Sequence, residues 1–269
     1  MQPRRVRAGG ASVAVELAFQ ETGTGAPIVI LHGLFGSKRN WISIARQLAT
    51  THRVFSVDLR NHGESPWDSR HDYLTLADDV GAFVEKQVGG PTAVIGHSMG
   101  GKAAMVLALT RPDLVERLVA VDIPPGESIG TQDVFIRAMQ AVPLATLARR
   151  TEVDALLSET ITDPTIRGFL VTNVRTTPDG FSWSINLDAL AGAFPTIRGF
   201  PDMSAAQPFA KPALFLLGGR SEYVQLHHHA DIRRLFPVAR IEVIPEAGHW
   251  VHAEAPAAFL AAVRQFLAE

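Results

Sequence analysis

The stretch Thr92-Ala93-Val94-Ile95-Gly96-His97-Ser98-Met99-Gly100-Gly101 decides how this chain is read. A short apolar run of strand character leads into Gly-His-Ser-Met-Gly. A helical pattern then runs from Gly101 to Leu109 and is stopped by Arg111-Pro112. A strand turning sharply into a helix forces its central residue into a strained backbone conformation and lifts that side chain clear of the sheet. Glycines two before and two after Ser98 remove side chains that would collide at so tight a crossing. The helix N-terminus beneath offers unpaired N–H groups and a favourable dipole for developing negative charge. Ser98 is therefore read as a nucleophile and the Met99 amide as one donor to an oxyanion. The bland reading, a glycine-rich turn with an idle serine, fits the strand-turn-helix setting less well.

Working outward, continuous apolar runs recur at Ile28–Leu31, Val54–Val57, Leu118–Val121, Leu214–Leu217 and Ile241–Ile244. Runs without alternation are expected of strands buried on both faces of a parallel sheet. Ser12–Phe19 alternates instead and predicts an early, partly exposed strand. Helix-period segments at Trp41–Leu48, Leu74–Val88, Gly101–Leu109 and Pro256–Leu267 lie between or after these runs. The fold class is α/β: a mostly parallel central sheet with helices on both faces. The alternation breaks from Pro124 to about Pro208, a span too long for a loop. A helical cap inserted at 124–208, over a core built from 1–123 and 209–269, is expected at the C-terminal edge of the sheet, where such sheets bind ligands.

Composition narrows the function classes. The 269 residues are 46% hydrophobic and 19% charged, and 25 basic residues nearly balance 27 acidic ones. That is an ordinary globule with no electrostatic case for nucleic acid. With no cysteine in the chain, disulfides, a thiolate nucleophile and Cys-based metal sites are excluded. The basic start, Met1 to Arg7, lacks the apolar stretch of a secretory signal. The longest apolar runs fall well short of the roughly 20 residues of a membrane span. A cytoplasmic protein without a membrane span is expected, and neither cofactor nor metal is called for.

Ten histidines compete to be the general base. His249, in Gly248-His249-Trp250 just beyond the last apolar run, is placed to return towards Ser98, with His252 as runner-up. His97 should point away from the serine, and His32 is read as structural. The run His227-His228-His229 is read as a solvated helix face, because adjacent helical side chains diverge and do not share one metal. The acid is less obvious. The turn after Leu214–Leu217 reads Gly218-Gly219-Arg220-Ser221-Glu222 and holds no aspartate, so the candidates are Asp122, at the end of the strand after the elbow, and Glu222, with Asp122 preferred. Asp58 is read as part of a structural turn. The second oxyanion donor is expected from His32-Gly33-Leu34-Phe35, at the amide of Leu34 with Phe35 as the fallback.

These segments together resemble the YbfF-like acyl esterases of the α/β-hydrolase superfamily. The most specific matches are Asn61-His62-Gly63, Asp122-Ile123-Pro124, and Gly218-Gly219 with Ser221. The resemblance implies that the acid comes from the strand after the elbow, which falls on Asp122. It also implies hydrolysis of short to medium acyl esters, with acyl thioesters alongside.

The expected chemistry is acyl transfer from an ester or thioester to Ser98 and then to water. Phe35, Ile123, Trp183, Phe194 and Trp250, with Met99, are candidates to line an apolar acyl pocket. A serine at the elbow argues against the dehalogenase and epoxide hydrolase chemistries that need a carboxylate there. Carbon–carbon bond hydrolases, peptidases and perhydrolases keep the same triad and stay open, as does a non-catalytic relative that only binds small molecules.

Overall fold

A computed structural model of the chain describes residues 14–178 and 180–269. In chain order the elements are β1 (Phe19–Thr22), β2 (Ala26–Leu31), α1 (Ile42–Leu48), β3 (His52–Val57), α2 (Tyr73–Phe83), β4 (Thr92–His97), α3 (Met99–Thr110) and β5 (Val115–Val121). Then follow α4 (Gln132–Ala141), α5 (Arg150–Leu157), α6 (Pro164–Val171), β6 (Val174–Thr177), β7 (Gly180–Trp183) and α7 (Leu187–Arg198). The chain closes with β8 (Ala213–Gly218), α8 (His228–Leu235), β9 (Ala239–Ile244), α9 (Val251–Glu254) and α10 (Pro256–Ala268).

The main sheet has the order β1-β3-β2-β4-β5-β8-β9, with every pairing parallel except β1 to β3. All six residues of β4 and of β8 are buried, as strands covered on both faces require. One face carries α2, α3 and α8, whose Val80, Met105 and Ile232 pack with Val29, Val94 and Phe215. The other carries α1 and α10, whose Leu48, Phe259 and Val263 pack with Ile30, Ile95 and Leu216. α3 is buried from Met99 to Leu109, so it is held by packing all round. Among the described residues no helix is long and apolar enough to cross a membrane.

Two expectations need correction. The first strand lies at Phe19–Thr22, not over Ser12–Phe19, of which Ser12 and Val13 lie outside the described residues. Leu17 is buried as the alternation implied, but the amides of Val15 and Ala18 donate to Asp79 Oδ1 and Ser65 Oγ, both at 2.8 Å, instead of to a neighbouring strand. The segment between β5 and β8 is also not purely helical. It contains the antiparallel pair β6–β7, Val174 opposite Trp183, beside four helices. Ile136, Met139, Leu157, Leu170 and Leu190 give it a cluster of its own, which Phe35, from the loop after β2, joins.

Candidate active site

Three chain reversals at the C-terminal edge of the sheet meet at one point. The first is β4 to α3. Ser98 has φ 51° and ψ −120°, a conformation L-residues rarely adopt, and its amide donates to Val121 O at 3.0 Å. A Cβ on Gly96 would lie 2.3 Å from Gly100 O, and one on Gly100 would lie 2.5 Å from His32 O, so both glycines are required by close approach. The second reversal follows β5. Asp122 also has a positive φ, 50°, is fully buried, and is fixed by its backbone N–H, which donates to Leu216 O at 3.0 Å. The third is the loop from β9 into α9, which carries His249.

Their side chains form a line. His249 Nε2 is 3.1 Å from Ser98 Oγ, and His249 Nδ1 is 2.8 Å from Asp122 Oδ2. Asp122 is held further by the Gly218 amide, 3.0 Å from Oδ1, and by the Ser221 hydroxyl, which donates to Oδ2. The aspartate-free turn after β8 thus supplies donors to the carboxylate where a carboxylate of its own was missing. Glu222 is exposed, and among the described residues its carboxylate bonds neither His249 nor Ser98.

A cavity of about 60 Å³ opens beside Ser98 and His249. Leu34, Met99, Ile123 and Phe194 are among its lining residues, and Tyr73, Ile197 and Tyr223 complete much of its wall. Met99 is the first residue of α3, where amides have no partner within the helix. The other three pocket candidates lie elsewhere. Phe35 is buried in the insertion core, Trp183 donates its indole N–H to Met139 O at 3.2 Å, and Trp250 sits 5.7 Å from Phe169. A larger open cleft of about 720 Å³, between Trp67–Asp72 and α7, contains none of Ser98, Asp122 and His249.

Residues 26–256 match the family described as alpha/beta hydrolase fold. The chain belongs to the α/β-hydrolase family. It is 46% identical over 252 residues to the mouse sn-1-specific diacylglycerol lipase ABHD11, covering 90% of this chain and 80% of that one. It is 38% identical to the Escherichia coli esterase YbfF, covering 90% of this chain and 93% of the relative. Among solved structures, a marine microorganism esterase superposes with a TM-score of 0.91 at 36% identity, covering 94% of this chain and all of that one.

Within this α/β-hydrolase the remaining histidines have distinct structural places. His97 points away from Ser98, and its Nε2 lies 2.9 Å from the His249 carbonyl, tying the β9–α9 loop to the end of β4. His252 stacks on Trp41 at 4.0 Å, and burial, aided by the charge of neighbouring His249, pushes its imidazole down to about 3. His32 bonds backbone on both sides, with Nδ1 2.8 Å from Gly33 O and Nε2 accepting from the Leu59 amide at 3.0 Å. Asp58 accepts from Lys38 Nζ at 2.5 Å and from the amides of Lys38 and Glu64 at 2.7 and 2.9 Å, a turn-fixing network. The His227–His229 run is only partly solvated: His227 is exposed, but His228 is buried and accepts from the Gln225 amide at 2.9 Å. Among the described residues no group of His, Asp and Glu is arranged to hold a metal.

Sequence reading left out three residues around the site. Tyr223 lies flat on His249, with ring centroids 3.7 Å apart and planes 12° from parallel. Gln132, at the start of α4, donates to the Tyr223 hydroxyl. Lys102, fully buried on α3, donates to Ser128 Oγ at 3.1 Å and to the carbonyls of Arg198 and Gly199, both at 2.7 Å. Tyr223 lies two residues past Ser221 and Lys102 directly follows Gly101, both beside motifs read above. Their contacts were illegible because each runs to the insertion, tens of residues away.

Proposed function

We propose that this chain hydrolyses carboxylic esters through an acyl-enzyme on Ser98. The observation that carries the reading is the hydrogen-bonded line from Ser98 Oγ through His249 to Asp122. Ser98 Oγ attacks the acyl carbonyl as its proton passes to His249 Nε2, and Asp122 stabilises the imidazolium through Nδ1. The amides of Met99 and Leu34 take the oxyanion, each such donor being worth about 10²–10³ in rate. The alcohol leaves with the proton from His249. Water then attacks the acyl-enzyme, gives its proton to His249, and releases the acid and free Ser98. The segment between β5 and β8, expected at 124–208, serves as the cap, since Phe194 and Ile197 of α7 wall the cavity. Acyl thioesters undergo the same two displacements and form the second substrate class.

Similarity to a diacylglycerol lipase and to esterases supports an acyl ester as substrate and makes acylglycerols the first natural class to assay. The test is steady-state hydrolysis of p-nitrophenyl esters from acetate to palmitate by wild type and Ser98→Ala. Turnover in the wild type that falls at least 10⁴-fold in the variant is expected, since removing the serine of a triad costs about 10⁶ in kcat. Absence of Ser98-dependent turnover on every ester and thioester would overturn the reading and favour carbon–carbon substrates or a binding role.

A further inference from the structure

The imidazole of His249 has a flat neighbour that the triad does not use. The Tyr223 ring covers one of its faces at van der Waals distance. This phenol is held from two directions. Its amide donates to Ser221 Oγ at 3.3 Å, and Ser221 in turn donates to Asp122. Its hydroxyl accepts from Gln132 Nε2, in the first turn of α4 and so on the insertion. A chain of contacts therefore runs from the insertion through one aromatic ring to the imidazole.

We propose that Tyr223 is a positioning residue for His249, holding the imidazole in the plane between Ser98 and Asp122 and stabilising its cationic form, and that Gln132 makes this support depend on the insertion being seated. The proposal rests on the esterase reading above. An aromatic face is electron-rich and attracts a cation lying against it, most strongly where water is excluded. The imidazole becomes such a cation in both halves of acyl transfer. Its other neighbours leave room for this effect. Asp122 meets the ring at Nδ1, while His97, 4.7 Å away, and His252 beyond it are buried and held in the neutral form. Glu254, paired with Arg220 at 3.5 Å, bonds the amides of Gly248 and Trp250 on either side of His249, not its ring. Burial pushes the Tyr223 phenol up, so the ring stays uncharged against the imidazole.

The experiment compares wild type, Tyr223→Phe, Tyr223→Leu and Gln132→Leu on p-nitrophenyl butyrate from pH 5 to 9. Tyr223→Leu is expected to lower kcat about tenfold, the size of a desolvated cation–π contact, with little change in KM. The acid limb of its pH profile is expected to move to lower pH. Tyr223→Phe keeps the stack but loses the bond to Gln132, so its acid limb should lie between those of wild type and Tyr223→Leu. It removes the same bond as Gln132→Leu, so those two variants should match and their combination should not add. A Tyr223→Leu enzyme changed only in KM, or with its acid limb unmoved, would reduce Tyr223 to a pocket wall and overturn the proposal. The His249 ring is also titrated by NMR in Ser98→Ala, with and without Tyr223→Leu. Its midpoint should move down whether or not an ester is the substrate, so failure of the esterase reading is told apart from failure of this one. If Tyr223→Leu does not fold by circular dichroism, Tyr223→Met takes its place in both measurements, since it keeps bulk without an aromatic face.

Discussion

Ser98 and Asp122 are both held at positive φ by the same device, a strand end whose next amide bonds a neighbouring strand. Such conformations persist only where the surroundings over-determine them, and here they aim two side chains at one histidine. Asp122 accepts from Gly218, Ser221 and His249 together, so its carboxylate is satisfied without water. Asp122→Asn is therefore expected to lower kcat by about 10⁴, because the amide cannot hold the required tautomer of His249. Glu222→Gln should leave kcat within a factor of about two, since a surface carboxylate without a partner in the site changes little. The reverse pattern in a kcat comparison would move the acid to Glu222. The line of three was readable from the elbow, the missing aspartate after β8 and the position of Gly248-His249. Phe35 and Trp183 lie in or against the insertion core and not at the small cavity beside Ser98, a distinction the sequence does not carry because an aromatic side chain looks the same whether it lines a cavity or fills a core.

At the scale of elements, buried parallel strands announced themselves through unbroken apolar runs, and their positions hold to within two or three residues. Elements stabilised by distant side chains did not. Residues 14–18 carry a strand's alternation, but Asp79 and Ser65 take their amides. The β6–β7 pair had a local signal, Pro178-Asp179-Gly180 between two strand-like stretches, hidden inside a segment read as helical. The junction of α3 with the insertion was the least legible, since one ammonium, Lys102, gathers both of its ends: Ser128 at the start, Arg198 and Gly199 at the close of α7. A cation at a helix C-terminus is favourable, yet burial pushes Lys102 down to about 7, with Glu127 opposing and Arg198 adding to the shift. The unfolded chain keeps this proton up to about pH 10.4, so between these limits it binds more protons than the folded chain, and stability rises with pH across that window. Urea midpoints from pH 6 to 10 should therefore rise in wild type relative to Lys102→Met. A constant difference between the two curves would rule this out.

On the scale of the whole molecule, the insertion and the sheet enclose a cavity of about 60 Å³ at Ser98, far below the roughly 300–1,000 Å³ of ordinary ligand sites. A short acyl group fits such a space, and a long chain requires α7 to yield. Phe194 stands at that boundary, lining the cavity on one side and packed into the insertion core on the other. Phe194→Ala should therefore raise kcat/KM for hexanoate and octanoate esters relative to butyrate. Each methylene newly buried is worth about 0.8 kcal/mol, or roughly fourfold. The same truncation is expected to destabilise the insertion by about 3–5 kcal/mol if it behaves as a core position. Phe194→Leu, which removes less, should shift selectivity in the same direction with a smaller fall in Tm. If the ratio of octanoate to butyrate hydrolysis is unchanged in both variants while Tm falls, Phe194 belongs to the core alone, and chain length is set by how far the insertion opens rather than by the wall it presents.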